Sequence, residues 1–433
     1  VNKIGFLFKD EFYHIIDEVF EYLASQRSNI GEMSGWHQFL ESGKIGNIAT
    51  AQIILLHNKY DRPISDLDSC LAWFRTNKKQ IKWQNDTVHG WSYLSSGPAV
   101  PCIEPTCWVC LAYQKLSIQE TARVESDVYA FLNATKIPSQ YGIAWGFIPW
   151  TEPRVSPTCI AIRTLRNINN QNLIDDAVRW LLAARDSQNA WGSTARSSAT
   201  LTHTALAILA LREAGYNQFN PALLDGYAFL AKQLRQYMNS NQSRLSCEDN
   251  MGFMEIIDVP PCPPYEQRPT RIQYFYNPFL LSAIALSSNS EQYLHYIETV
   301  AIKSITDWRT TRWKHPFLRE HQHITSWSIY DHLSVLEPFR HEWFGNKKSL
   351  LAYGISSNGA LSFSVGRIGN ILLTFRNRYV IFFIRLIIFV GVAMAVAYYL
   401  LDGLKTKDTV IAVTVGVISD FVFDYLKRKI FTK

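Results

Sequence analysis

The residues whose types point most directly to chemistry are five arginines and a histidine, Arg154, Arg196, Arg268, Arg271, Arg319 and His321, interleaved with Trp91, Trp145, Trp191, Tyr274 and Tyr276. A guanidinium forks onto a phosphate, and an aromatic face stacks on a base. The set therefore suits an anionic nucleotide or a single-stranded oligonucleotide, and it would equally suit a prenyl diphosphate. Cys102-x4-Cys107-x2-Cys110 mimics an iron–sulfur spacing, but Cys107 and Cys110 fall in a small-residue helical stretch with no clear fourth ligand, which reads as core thiols. His315, His321, His323, His332 and His341 form a histidine-rich patch, a metal site on one reading and a mixed polar loop on the other. A phosphate loop, a Rossmann fingerprint and a Ser-His-Asp set are absent from the sequence, and no cofactor is implied.

These residues must be positioned by helices. An amphipathic helix, a loop with Gly and Trp, and a more apolar helix of small residues and Thr recur along the chain. The second helices read at 46–57, 104–116, 156–168, 201–215, 276–288 and 325–339, and four align on Thr50, Thr106, Thr158 and Thr204. The first helices read at 10–26, 67–80, 124–136, 173–188, 222–236 and 290–305. Trp36, Trp91, Trp145, Trp191, Phe253 and Trp313 punctuate each pair. Six helical hairpins are expected over residues 10–340.

The segment VRWLLAARDSQNAWGS…TLTHTALAILALREAG resembles the squalene-cyclase and prenyltransferase repeat, and the other copies match it in phase. The resemblance implies an all-α fold, a six-hairpin α/α toroid with six inner helices, six outer helices and a central cavity. It also supplies two tests for an enzyme. Class II terpene cyclases carry Asp-x-Asp-Asp at the start of an inner helix. Here Asp66-Leu67-Asp68-Ser69 opens an outer helix and lacks the last acid, while the inner positions hold Glu104-Pro105, Ser156-Pro157 and Thr202-His203. Protein prenyltransferases bind zinc through Asp-x-Cys on an outer helix and a His on the next inner one. Asp68-Ser69-Cys70 fits the first half, but the His position falls near Pro105, and His203 comes two repeats too late. The expectation is that the chain is not an enzyme and holds no zinc. In such a toroid the inner-helix N-termini share one mouth, whose free N–H groups favour anions, and the arginines lie near those termini.

The last sixty residues tie this ring to a membrane. Tyr379–Leu401 and Thr409–Tyr425 are each apolar runs about long enough to cross a bilayer core, which takes roughly 17–25 residues. Arg376 and Arg378 precede the first run, and Lys427, Arg428, Lys429 and Lys433 follow the second. The positive-inside rule then places the toroid and the C-terminus in the cytoplasm, with the connector between the runs outside. The start of the chain turns acidic where a signal peptide would continue apolar. Charge is uneven: residues 1–300 carry 25 Lys/Arg against 28 Asp/Glu, and residues 301–433 carry 18 against 9, an excess suited to anionic lipid. The seven cysteines are an odd number in apolar settings, as expected of reduced thiols. Residues 341–375 read as a connector with a small hairpin at Asn358-Gly359, and 376–433 as the hairpin of spans with a basic tail.

The spans hold Arg385, Asp420 and Asp424, which are costly at membrane depth. Counting from the connector, Arg385 and Asp424 lie about 16 and about 15 residues down, nearly level and able to pair. Asp420 is the candidate pore-lining residue. Two spans cannot enclose a pore, so a channel requires a homo-oligomer, a tetramer or similar. This organisation is similar to the channel effectors of bacterial antiphage defence, the Hailong type among them, in which a nucleotidyltransferase partner makes the nucleotide or single-stranded DNA signal. The expected function is therefore a ligand-gated membrane effector. The alternatives are a membrane-bound enzyme acting on an isoprenoid diphosphate and a membrane-anchored scaffold.

Overall fold

The computed structural model describes residues 9–84, 86–93, 100–149, 151–168, 170–239, 254–259, 268–273, 278–287, 293–314, 324–337, 352–355, 361–365 and 371–375. The chain divides into two units, Leu7–Lys348 and Val1–Phe6 with Ser349–Lys433.

The larger unit is mostly helical. Its helices are α1 (Lys9–Ser25), α2 (Asn47–Lys59), α3 (Leu67–Asn77), α4 (Ile103–Leu116), α5 (Thr121–Thr135), α6 (Val155–Asn167), α7 (Gln171–Ala183), α8 (Leu201–Glu213), α9 (Pro221–Asn239), α10 (Pro278–Ser287), α11 (Leu294–Thr311) and α12 (Ser326–Leu336). Each even-numbered helix packs on the next, and α12 returns to α2, so the six form a closed ring. The closure is knit by Tyr60, whose hydroxyl donates to the Leu333 carbonyl at 2.7 Å, and by Leu40 N–H to Ile324 O at 2.9 Å. Inner helices are buried nearly all round: in α4 every residue from Ile103 to Tyr113 is buried. Such helices have little polar face to show, which is why their sequences are rich in apolar and small residues. Outer helices are amphipathic; α7 buries Leu173, Ile174, Ala177, Val178 and Leu181, one stripe at helical spacing.

One clamp recurs at the start of the inner helices. The main-chain N–H groups of Trp36, Trp91, Trp145 and Trp191 donate to the hydroxyls of Thr50, Thr106, Thr158 and Thr204 at 3.1, 2.9, 3.1 and 3.1 Å. The four Trp carbonyls accept from Gly46, Cys102, Arg154 and Thr200, each the residue just before its inner helix. The four indole N–H groups donate to Leu23, Phe74, Leu132 and Leu181 carbonyls at 2.7–2.9 Å, one on each preceding outer helix. The last repeat is a variant: Ser328 donates to the Trp313 carbonyl at 2.6 Å. At Gly90 the approach is so close that an added Cβ would lie 2.6 Å from Thr106 Oγ1.

The connections from outer to inner helices are not plain loops, which corrects the all-α expectation. Four of them hold antiparallel ribbons: β1 (Ser28–Ile30) with β2 (Met33–Gly35), β5 (Lys79–Trp83) with β6 (Asp86–Gly90), β7 (Ile137–Ser139) with β8 (Gly142–Ala144), and β9 (Met254–Val259) with β10 (Arg268–Gln273). A further pair, β3 (His37–Phe39) and β4 (Ser42–Ile45), precedes α2. The ribbons are three to six residues per strand, too short for a period-of-two signal beside the helical one; only Ile81 and Val88, paired and both buried, betray theirs.

In the smaller unit β11 (Ala352–Ile355), β12 (Leu361–Val365) and β13 (Ile371–Phe375) form an antiparallel meander, with Ile355 opposite Leu361 on either side of Asn358-Gly359. The two apolar runs with Arg385, Asp420 and Asp424 lie outside the described residues. Among those described, no helix is long and apolar enough to cross a membrane.

The clamp predicts the cost of losing it. Thr158→Val keeps the shape but strands the buried Trp145 N–H, and should lower unfolding free energy by about 1–3 kcal/mol. Thr158→Ser, which copies the Ser328 arrangement, should cost clearly less. Urea midpoints of the two variants check the ranking.

Candidate ligand site

Of the sequence-derived set, Trp91, Trp145, Trp191 and Arg154 do not share an open surface with Arg196. Trp91, Trp145 and Trp191 are 1%, 0% and 0% exposed, and their polar groups are spent in the clamp. This corrects their assignment as stacking platforms: a ring face enclosed by protein has no room for a base. Arg154 precedes α6 and is 4% exposed. Its guanidinium pairs with Glu152 and stands close enough to His203 to disfavour a second charge there. It is part of the wall, not a free cation. Arg268 and Arg271 sit on β10, opposite Val259 and Ile256 of β9. Arg319, His321, Tyr274 and Tyr276 lie outside the described residues.

Two aromatic side chains meet across the ring. Trp108 of α4 and Tyr330 of α12 meet edge to face with ring centroids 5.1 Å apart, although α2 stands between their helices in the ring. Each is two residues past its clamp residue, Thr106 or Ser328, hence about 200° around the helix and on the lumen side. Below them Arg163 of α6 bonds Glu213 of α8 at 2.9 Å, and Lys59 of α2 reaches Glu337 at 3.6 Å. Burial opposes the Arg163 charge, and Glu213 together with Tyr330 and Cys159 more than offsets it.

Arg196 is the predicted cation that reaches an open site. It is exposed, in the connection between α7 and α8, where its backbone takes a left-handed φ of 62°. Its Nη2 donates to the Tyr141 hydroxyl at 2.9 Å, and its guanidinium carbon lies 5.7 Å from the Tyr141 ring centroid. Tyr141 is 43% exposed at the tip of the β7–β8 ribbon, which rests on α7 at Gly142. Arg185, Asp186, Ser187, Arg196 and Ser198 line an open cleft of about 450 Å³, within the range of small-molecule sites. Asp186 shapes it. Its Oδ1 accepts the N–H groups of Gln188 and Ala190 at 2.8 and 3.2 Å, and its Oδ2 that of Ala199 at 2.9 Å, so one carboxylate joins both limbs of the connection. Arg185 contacts Asp225 of α9 at 3.5 Å. The cleft therefore neighbours outer helix α9 as well as the residues that lead into α8. Tyr141, Arg185 and the two serines escaped the sequence reading; the turn-forming Ser-Gln-Tyr-Gly and the Asp186 repeat-breaking loop are their only local signals.

The enzyme-like motifs resolve as packing. Cys70 is buried; Arg27 Nη2 lies 3.5 Å from its sulfur and Ser34 Oγ 3.4 Å away. Burial pushes this thiol up. A cation beside the sulfur opposes a second one, so the half-motif at Asp68 and Cys70 does not suit zinc. Cys102 and Cys107 are buried and pushed up to about 12 by burial, and Cys110 is raised well above its ordinary value for the same reason. His332 stacks on Trp313 at 4.4 Å and donates to the Ser328 carbonyl at 2.6 Å. Among the described residues no three His, Cys, Asp or Glu side chains lie close enough to hold a metal.

Neither a protein-family model nor a curated protein matches the sequence. Solved structures do. A family 76 glycoside hydrolase (mannosidase) from Bacteroides thetaiotaomicron VPI-5482 superposes with a TM-score of 0.49 at 10% identity, covering 76% of this chain and 98% of its own. The Candida albicans protein geranylgeranyltransferase-I complexed with GGPP gives 0.48 at 12% identity, covering 79% and 93%. Identities this low say nothing of activity.

His203 carries a pH prediction. It is buried at the start of α8, its Nδ1 is 2.8 Å from the Thr200 hydroxyl, and burial, followed by the Arg154 charge, pushes it down to about 3 from 6.5. The unfolded chain then binds the extra proton between those values, so the folded state is fully favoured above pH 6.5 and loses stability as pH falls toward 3. Denaturant midpoints against pH should fall more steeply over that window for the wild type than for His203→Gln.

Proposed function

We propose that this chain is a membrane effector in which the helical ring senses an anionic nucleotide or short single-stranded oligonucleotide, and the C-terminal apolar runs form an oligomeric ion channel. The observation that carries the ligand half is Arg196, an exposed guanidinium beside an exposed tyrosine at an open cleft of about 450 Å³. Guanidinium and aromatic side by side are what phosphate and base require. The membrane half rests on Tyr379–Leu401 and Thr409–Tyr425, with basic residues at their outer ends. Asp420 is the residue assigned to the pore, and Arg385 with Asp424 to a pair within or between subunits. Self-association, anionic lipid at the basic tail and a nucleotidyltransferase that supplies the ligand complete the assembly, at the bacterial inner membrane with the ring in the cytoplasm. Sensing by the toroid fits the architectural likeness to antiphage channel effectors. The alternative, a membrane-anchored isoprenoid enzyme, is disfavoured by the cation next to Cys70 and by the absence of the cyclase acid set from the inner-helix starts.

Ion flux from liposomes tests this reading. Full-length protein should pass ions in a ligand-dependent way, a chain ending near Arg376 should not, and Asp420→Ala should change conductance or selectivity while the ring stays folded. Folded, inserted protein that passes no ions with or without oligonucleotide would sink the channel.

A further inference from the structure

We propose that the cleft between Arg185 and Arg196 is a single-nucleotide site, with the two guanidiniums taking the phosphate and Tyr141 offering its face to the base. This deepens the reading above and rests on it. The guanidiniums enter from opposite limbs of one connection, Arg185 just after α7 and Arg196 shortly before α8. Asp186 keeps its negative charge in the lining, with both oxygens turned to main-chain N–H groups, so the two guanidiniums leave the cleft one net positive charge. Ser187 and Ser198 add hydroxyls that can donate to phosphate oxygens. Arg196 already bonds the Tyr141 hydroxyl, so a phosphate held by that guanidinium brings its nucleoside alongside the ring. A cleft of about 450 Å³ suits one nucleotide, the end of a chain or a monomer, not a threaded strand.

The site is also coupled to the ring. Arg185 is held loosely by Asp225 of α9 at 3.5 Å. Phosphate competes for the same guanidinium, so occupancy releases the connection from α9. Removing the Asp225 charge should then favour binding, the opposite of removing Arg196.

The test measures binding of thymidine 5′-monophosphate, inorganic phosphate, thymidine and a short oligothymidylate to full-length protein in nanodiscs. The monophosphate should bind more tightly than phosphate or thymidine. Arg196→Gly should weaken it by about tenfold or more, the scale of a lost charge-assisted bond, without unfolding the chain, because glycine accepts the left-handed φ of 62°. Asp225→Asn should tighten it. Unchanged affinity in Arg196→Gly, or weaker binding in Asp225→Asn, overturns the site. If oligothymidylate gates flux equally in wild type and Arg196→Gly, the cleft is wrong and the channel reading stands. If no probe binds to folded, inserted protein, both fail. Phosphate bound as tightly as the monophosphate overturns the role of Tyr141.

Discussion

A buried tryptophan main chain that must find partners sets the form of this ring. Between an outer helix and the next inner helix the chain dives into a space without water, where every N–H and C=O needs a partner. Trp36, Trp91, Trp145 and Trp191 solve this identically. The N–H goes to a threonine hydroxyl, the carbonyl takes the N–H of the residue opening the inner helix, and the indole reaches back to the outer helix. One residue thereby ties three elements. Each indole also removes on the order of 200 Å² from water, worth about 5 kcal/mol at ~25 cal/mol per Å². Threonine is required because it both accepts and donates, and a carbon isostere does neither. The small residues around it, such as Ala49, Ala161 and Ala205, let inner helices close to ring contact.

The lumen follows from the same geometry. With the clamp residues turned toward the outer layer, positions two further on turn inward, and there stand Trp108 and Tyr330. They meet across the ring, and the Arg163–Glu213 pair joins α6 to α8. With the Glu213 side chain 40% exposed and that of Arg163 18%, this half-exposed pair adds little net stability.

Much of this was legible in the sequence. The aligned Thr50, Thr106, Thr158 and Thr204 and the punctuating tryptophans marked the six helical pairs, since clamp residues repeat with the period of the fold. Helix α7 begins at Gln171 and ends at Ala183, against an expected 173–188, because Ala184–Asp186 turn into the next connection. The site was less legible for the same physical reason. A tryptophan that seals a repeat and one that stacks on a ligand share a letter and a position in a loop, and only burial separates them. Arg154 and Arg196 are likewise alike in sequence. One opens a helix inside the wall and pairs with Glu152; the other sits three residues before the α8 cap Thr200's neighbour Ala199, on a left-handed turn in solvent. Long-range contacts, Tyr141 to Arg196 and Arg185 to Asp225, have no local pattern to read.

Repetition itself argues where function lies. Features shared by every repeat answer a common structural need, so a specific activity belongs where one repeat departs from the others. The first three connections bring a ribbon out over the following outer helix before turning inward. The fourth, residues 184–200, has no strand among its described residues and uses Asp186 to hold its limbs together. In giving up ribbon pairing, that connection exposes Arg196 and Ser198 and opens a cleft beside the neighbouring ribbon's Tyr141. The clamp at Trp191 and Thr204 is untouched by this departure. A scaffold that keeps its clamp while one connection changes can vary its ligand without risking its fold.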